Sequence, residues 1–77
     1  MSWTEQNNAL NKTYTFKSFN DAISWMQKAS VEIDRLNHHP EWTNIYNRVI
    51  VKLTTHDAGN TVTAKDRELA KILDSIV

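Results

Sequence analysis

Apolar and polar residues alternate along two stretches of the chain and recur at helical spacing along two others. Leu10, Tyr14 and Phe16 occupy alternate positions of the segment Ala9–Phe16, which is the period-two pattern of a half-buried β-strand. The polar residues just before this segment favour a turn. We therefore expect the strand to pair with Ser2–Glu5 as a hairpin.

A long helix is predicted after this hairpin. Ser18 and Asp21 form a capping box at its start, Asn37 is suited to its end, and Pro40 cannot continue it. One apolar stripe consists of Phe19, Ile23, Met26, Ile33 and Leu36. A thinner stripe consists of Ala22, Trp25, Ala29 and Leu36. Because a helix that is apolar on more than one side needs a second partner, we expect the thinner stripe to face a surface such as another subunit.

The pattern returns to strand between Thr43 and Thr55. A turn is predicted at Tyr46–Asn47, with Asn47 adopting the positive φ that this residue type tolerates. After the turn, the apolar positions that alternate along the strand are Val49, Val51 and Leu53.

A loop at Ala58–Asn60 and a second helix complete the chain. Thr63 and Asp66 form the capping box of this helix. Its apolar side consists of Leu69, Ile72, Leu73 and Ile76. The order β-β-α-β-β-α predicts a single α+β domain over residues 1–77, with a four-stranded antiparallel sheet and two helices on one face.

Composition limits the classes of function. The 77 residues balance nine Lys and Arg against nine Asp and Glu and contain no cysteine. Without a basic excess, direct binding to nucleic acid or to an anionic membrane is not expected, and no apolar stretch is long enough to span a bilayer. We expect a cytoplasmic protein that forms a homodimer or homotetramer, because so small a core gains stability from oligomerisation.

All three histidines lie close together in the sequence. Imidazole exchanges protons near neutral pH, so a cluster of histidines is a candidate for acid/base chemistry. The extended backbone before Pro40 makes the side chains of His38 and His39 diverge, and we expect them to have different roles. His56 follows a strand whose hairpin partner begins near Pro40, which predicts a shared pocket. Asp34, one helical turn before His38, is a candidate to orient a histidine.

Other interpretations apply to these residues singly. A histidine in a loop is usually a solvated surface residue, and the capping box alone explains Asp66. A zinc site built from the three histidines and Asp34 is disfavoured, because His38 and His39 are adjacent and the usual spaced ligand pairs are absent. We therefore predict no metal. Only the joint spacing of these residues favours a functional site.

That joint spacing resembles the signature of a known family. The pattern Asp34-x3-His38-His39-Pro40-x5-Tyr46-x9-His56-x9-Asp66 is similar to that of the pterin-4a-carbinolamine dehydratases. The segments around His38-His39-Pro40-Glu41-Trp42, around Leu53-Thr54-Thr55-His56 and at 15–20 resemble the family as well. The resemblance extends over nearly the whole chain, from Trp3 to the last helix. The N-terminal helix of many relatives is expected to be absent.

The resemblance implies dehydration of 4a-hydroxytetrahydropterin to quinonoid dihydropterin, in tetrahydrobiopterin recycling, without a cofactor. It implies that His38 and His56 are the acid/base pair, in either order, and that His39 holds and polarises the substrate. The residues that it implies for pterin binding are Asp34, Asn37, Trp42, Thr54, Thr55, Asp57 and Trp3. Asp34 stands where the animal enzymes commonly have Glu, so its carboxylate has a shorter reach.

A different class of function is also open. Some relatives bind other proteins or assist the assembly of enzymes, and the long helix could provide such a surface. Relatives of the assembly type have lost the histidines, whereas this chain has all three. The resemblance therefore favours a dehydratase, with an interaction or assembly protein as the alternative.

Overall fold

A computed structural model describes residues 3–77, so Ser2 of the predicted first strand lies outside the described residues. The elements are β1 (Thr4–Gln6), β2 (Ala9–Thr15), α1 (Phe19–Leu36), β3 (Glu41–Ile45), β4 (Arg48–Leu53), a 3₁₀ turn (His56–Ala58) and α2 (Ala64–Ser75). The α+β order of strands and helices agrees with the prediction. The 3₁₀ turn was not predicted.

The four strands form one antiparallel sheet in the order β1-β2-β4-β3. The two hairpins are joined through the central pair β2 and β4, in which Leu10 lies opposite Leu53 and Tyr14 opposite Val49. Both helices pack on the face of the sheet that these buried residues share. None of the described helices is long and apolar enough to cross a membrane.

The buried residues of α1 are Ala22, Trp25 and Ala29 of the thinner stripe together with Ile33 of the broader stripe. Ala22, Trp25 and Ala29 are at most 3% exposed, whereas Phe19 of the broader stripe is 48% exposed. The small alanine side chains leave room for the sheet, and the indole of Trp25 lies 4.5 Å from the ring of Tyr14 between their centroids. The prediction that the thinner stripe faces another subunit is therefore wrong, because the chain buries it itself. Phe19 and Val31 are the large apolar residues of α1 that are exposed.

Both hairpin turns use left-handed backbone. Asn7 and Asn8 have φ of 54° and 62°, as expected for asparagine in a tight two-residue turn. In the second turn Tyr46, not Asn47, has the positive φ of 54°. The prediction for Asn47 was wrong because this residue is held by Phe16: its side chain donates to the carbonyl of Phe16, and its own carbonyl accepts from the N–H of Phe16, each at 2.8 Å.

Both helices begin at the predicted capping residues, but of the capping box predicted for Ser18 and Asp21 the described contacts include only the hydrogen bond to the Ser18 side chain. Ser18 Oγ accepts a hydrogen bond from the N–H of Asp21, and Thr63 and Asp66 form a complete capping box. Asn37 adopts the left-handed conformation, with φ of 51°, while the N–H of His38 donates to the carbonyl of Ile33. This arrangement ends α1 and places the two adjacent histidines directly after the helix.

Candidate active site

One pocket of about 230 Å³ lies where α1 ends, β4 ends and α2 begins. It is lined by Asn37, His38, His39, Thr54, Thr55, His56, Asp57 and Lys65. The structure therefore brings all three histidines together with Asn37, Thr54, Thr55 and Asp57 of the predicted binding residues. A backbone pairing between Thr55 and Thr61 closes the loop that carries His56.

Asp66 supports His38 from inside the protein. The Nε2 atom of His38 lies 2.6 Å from Oδ1 of Asp66, whose side chain is fully buried. Since an ionised carboxylate can only accept hydrogen bonds, Nε2 of His38 is the donor. Asp66 therefore fixes both the position and the tautomer of this imidazole.

The second oxygen of Asp66 organises two hydroxyl groups. Thr55 Oγ1 donates to Oδ2 of Asp66 at 2.7 Å, and the N–H of Thr63 donates to the same oxygen at 2.9 Å. The two threonine hydroxyls lie 2.6 Å apart. Because the hydroxyl proton of Thr55 is directed at Asp66, the hydroxyl of Thr63 donates to Thr55. The capping box of α2 and the support of His38 are thus one hydrogen-bond network.

These hydrogen bonds keep the carboxyl of Asp66 ionised. Burial alone would raise its pKa, but the hydrogen bonds from His38, Thr55 and the Thr63 backbone outweigh burial, and the pKa lies below its ordinary value. A carboxylate behind an imidazole holds the ring and stabilises a positive charge that forms on it. The environment of His38 is suited to proton transfer.

Asp34 contacts His39 rather than His38. Its Oδ1 atom lies 3.0 Å from Nε2 of His39, and both side chains are mostly exposed. This contact follows from the left-handed Asn37, which ends α1 and turns the chain before the two histidines. The predicted divergence of the adjacent histidines is confirmed, since His38 faces the interior and His39 faces solvent.

His56 is held by its own loop. Its Nδ1 atom lies 2.8 Å from Oδ1 of Asn60, which has a positive φ of 59°. Because an amide oxygen accepts, Nδ1 of His56 is the donor. At the same end of the sheet, Thr54 Oγ1 donates to the carbonyl of Asn8 at 3.0 Å and ties the N-terminal hairpin to the edge of the pocket.

All three imidazoles share one pattern of hydrogen bonding. Each has one ring nitrogen bound to an oxygen acceptor, while the other forms no hydrogen bond to any described residue. In His38 this other nitrogen is Nδ1, and it is not completely buried, since the described residues contain no fully buried side-chain nitrogen or oxygen atom that lacks a partner. Each imidazole therefore has one ring nitrogen that is anchored and one that is not hydrogen-bonded to a described residue.

Trp3 and Trp42 do not line this pocket. Trp42 packs beside Trp25, with ring centroids 6.0 Å apart. Trp3 packs edge-on against Tyr14 and donates from Nε1 to Asp74 of α2. Their predicted part in binding pterin stays a prediction, and within this chain both belong to the aromatic packing between the sheet and the helices.

Three residues of the site were not predicted in their observed roles. Asp66 was explained by its capping box alone, although it is the last residue of the histidine pattern. Lys65 lines the pocket because it precedes Asp66 in the first turn of α2. Asn60 was assigned only to a loop. Across residues 3–77, no group of three or more His, Asp or Glu side chains is arranged to hold a metal ion.

The fold and the pocket define a class: a small α+β protein that gathers imidazoles at one end of an antiparallel sheet. A family model described as pterin 4 alpha carbinolamine dehydratase matches residues 1–76. The chain belongs to this pterin-4a-carbinolamine dehydratase family.

Similar proteins agree with this membership. A protein of Opitutus terrae named "Putative pterin-4-alpha-carbinolamine dehydratase" is 55% identical over 96% of this chain and 76% of its own length. A protein of Solibacter usitatus with the same name is 47% identical over 97% of this chain and 78% of its own length.

Solved structures show the same fold. The crystal structure of a transcriptional coactivator/pterin dehydratase from Brucella melitensis is similar with a TM-score of 0.90 and 38% identity, over 96% of this chain and 80% of that one. A pterin dehydratase-like protein identified as a RuBisCO assembly factor in the alpha-carboxysome has a TM-score of 0.85 at 19% identity, over 99% of this chain and 89% of that one. This second likeness concerns the fold alone.

Proposed function

We propose that this chain dehydrates 4a-hydroxytetrahydropterin to quinonoid dihydropterin by histidine acid/base catalysis. The observation that carries the proposal is the convergence of three imidazoles on one pocket, each with one nitrogen anchored and the other free. The membership of the family supplies the substrate class. In this elimination the N5–H and C4a–O bonds break, a C4a=N5 double bond forms, and water leaves.

His38 is proposed as the general base. It takes the N5 proton at Nδ1, while Asp66 accepts from Nε2 and neutralises the charge of the imidazolium that forms. The buried, fully hydrogen-bonded carboxylate keeps this geometry through the reaction. A positioned base contributes a factor of about 10²–10⁴ to the rate.

His56 is proposed as the general acid, and His39 as the residue that polarises the substrate. His56 is exposed, so its free Nε2 can regain a proton from solvent after each turnover. It delivers that proton to the departing hydroxyl. His39, paired with the exposed Asp34, has its free Nδ1 available for a hydrogen bond to the pterin. The reaction transfers two protons and releases the hydroxyl group as water without a change of oxidation state, so we propose that it needs no metal or cofactor.

Location and assembly are proposed as well. We propose that the protein acts in the cytoplasm as a homodimer or homotetramer. The exposed Phe19 and Val31 of α1 are candidates for a subunit contact or a contact with a protein partner. The alternative of a non-catalytic interaction or assembly protein has less support, because such a role has no need for three anchored imidazoles.

The test is the dehydration of synthetic 4a-hydroxytetrahydropterin by the wild type, His38→Ala and His56→Ala. We expect each substitution to lower kcat by about 10²-fold or more. Lys71→Ala, on an exposed face of α2 away from the pocket, is the matched control and is expected to keep the wild-type rate. A wild-type rate no better than buffer would refute the enzyme, and full activity of the alanine variants would refute the assignment of roles.

A further inference from the structure

Thr55 differs from the residues that follow it in the loop of the pocket. It is only 6% exposed, whereas His56 and Asp57 are exposed. Its hydroxyl proton is directed at Oδ2 of the fully buried Asp66, at 2.7 Å. The hydroxyl group of Thr55 therefore acts on the carboxylate behind His38 and has no proton left to donate to a ligand.

The hydroxyl of Thr55 is the last member of a chain of hydrogen bonds that all point towards Asp66. The N–H of Lys65 donates to Thr63 Oγ1 at 3.3 Å, and the hydroxyl of Thr63 donates to that of Thr55 at 2.6 Å. Each hydrogen bond in such a chain polarises the next, so the donation from Thr55 to Asp66 is strengthened. The first turn of α2 thus acts on Asp66 through Thr55 as well as through the N–H of Thr63.

The two oxygens of Asp66 face different partners. Oδ1 lies 2.6 Å from Nε2 of His38, while Oδ2 accepts from the hydroxyl of Thr55 and from the backbone of Thr63. Every donor on Oδ2 stabilises the ionised carboxylate and reduces its attraction for a proton on the other side. These donors therefore oppose the attraction of Asp66 for a proton held by His38.

We infer that Thr55 is a positioning residue for the proposed base: its hydroxyl, acting through Asp66, weakens the hold of the Asp66–His38 pair on a proton. His38 is thereby kept free to accept a proton from the substrate. Without that hydroxyl, the carboxylate would bind the imidazolium of His38 more tightly, and His38 would stay protonated to a higher pH. This role rests on the proposed function, since it takes His38 as the base.

Other charged groups around the pocket are the same in wild type and variant when Thr55 alone is changed. They are Lys65 of α2, His39 and Asp34 at the end of α1, and His56 and Asp57 of the 3₁₀ turn. The buried side chains of β4 are apolar. Within residues 3–77, the hydrogen-bond partners of the Asp66 carboxylate are His38, Thr55 and Thr63. A shift in the titration of His38 on substitution of Thr55 can therefore be assigned to the lost hydroxyl.

The test compares Thr55→Val, which removes the hydroxyl at nearly constant volume, with Thr55→Ser, which retains it. The first measurement is NMR titration of the His38 imidazole without substrate, and the second is the pH dependence of kcat/KM for 4a-hydroxytetrahydropterin. In Thr55→Val, we expect the titration of His38 and the acid limb of the rate profile to move upward together by about 0.5–1 pH unit. Thr55→Ser should behave as the wild type. Thr43→Val, the same substitution at an exposed position of β3, should leave both curves unchanged.

Two outcomes would overturn the inference. One is a titration of His38 that stays in place or moves downward in a folded Thr55→Val protein. The other is a raised KM with an unmoved acid limb, which would assign the hydroxyl to direct contact with the substrate. If Thr55→Val does not fold, Thr55→Ala removes the same hydroxyl with a smaller side chain and is judged by the same shift.

The titration of His38 also separates this inference from the proposed function, because it needs no turnover. A wild type that does not dehydrate the carbinolamine would refute the enzyme. An upward shift of the His38 titration in Thr55→Val of that same protein would still support the action of Thr55 on the Asp66–His38 pair.

Discussion

The imidazole of His38 and the carboxylate of Asp66 form a 2.6 Å hydrogen bond although 28 positions separate them in the chain. Asp66 thereby connects the first turn of α2 to His38, which lies just beyond the Asn37 cap of α1. The same carboxylate accepts the N–H of Thr63 that caps α2. Folding of the second helix and placement of the proposed catalytic base are therefore coupled through one side chain.

Replacement of Asp66 by Asn should impair both functions of this carboxylate. We expect Asp66→Asn to lower kcat by about 10²-fold or more and the free energy of unfolding by about 1–3 kcal/mol. Asp34→Asn makes the same change in the exposed pair with His39 and should alter stability by less than about 1 kcal/mol. Single-turnover kinetics and urea unfolding of both variants provide the measurement. Equal effects of the two substitutions would contradict the special role of the buried pair.

Asn37 allows helix capping to be separated from substrate binding. Its left-handed backbone favours glycine and disfavours alanine, so Asn37→Ala should cost about 1 kcal/mol while Asn37→Gly should be as stable as the wild type or more stable. Both variants lose the amide that is predicted to bind pterin. If that amide contacts the substrate, KM should rise in both; a rise in the alanine variant alone would assign Asn37 to capping only.

Trp25 is expected to be essential for stability. Its indole packs among Tyr14, Phe16 and Trp42, and Nε1 donates to the carbonyl of Leu73 at 3.3 Å. Trp25→Ala should therefore cost about 3–5 kcal/mol, a large part of the total for so small a domain. Lys28→Ala, at an exposed position of the same helix, should change stability by less than about 0.5 kcal/mol. Urea denaturation checks the contrast.

Acid should weaken the attachment of α2 to the sheet. Asp74 accepts hydrogen bonds from Lys12, Tyr14 and Trp3. Burial raises the pKa of Asp74, but the bonds from Lys12 and Tyr14 outweigh burial and hold it below the ordinary value. A carboxyl whose pKa is lowered by folding stabilises the protein above the unfolded pKa of about 3.9, and this contribution is lost as pH falls through the folded value.

The measurement is the free energy of unfolding as a function of pH. Below about pH 4.5, the wild type should lose stability steeply, while Asp74→Asn should begin less stable at neutral pH and lose less on acidification. Tyr14→Phe removes one hydrogen-bond donor to Asp74, so its loss of stability on acidification should lie between those of the wild type and Asp74→Asn. If the free energy of unfolding of Asp74→Asn fell with pH as steeply as that of the wild type, the carboxyl of Asp74 would not cause the acid sensitivity. Asp66, whose pKa is also lowered, would then be the next candidate.

Local patterns were sufficient to predict the elements. The alternation around Tyr14 and Val49 predicts strands because only one face of the sheet is buried, and the caps at Ser18 and Thr63 predict where helices begin. The face of α1 that is buried was less accessible to sequence, since the broader stripe has the larger apolar side chains but is only partly buried. The stripe with Ala22 and Ala29 is the one that packs on the sheet, because these small side chains allow the helix to approach the sheet closely.

The sequence by itself determined the order of strands and helices, the family, and the set of histidines that belong to one site. These properties depend on which residue types occur and on their spacing along the chain, and both can be read directly from the sequence. Only the tertiary structure decided which acid supports which imidazole: Asp66 reaches His38 across the fold, and Asp34 pairs with His39. The reason is physical, because a hydrogen bond depends on distances of about 3 Å that are set when α1, β4 and α2 pack together.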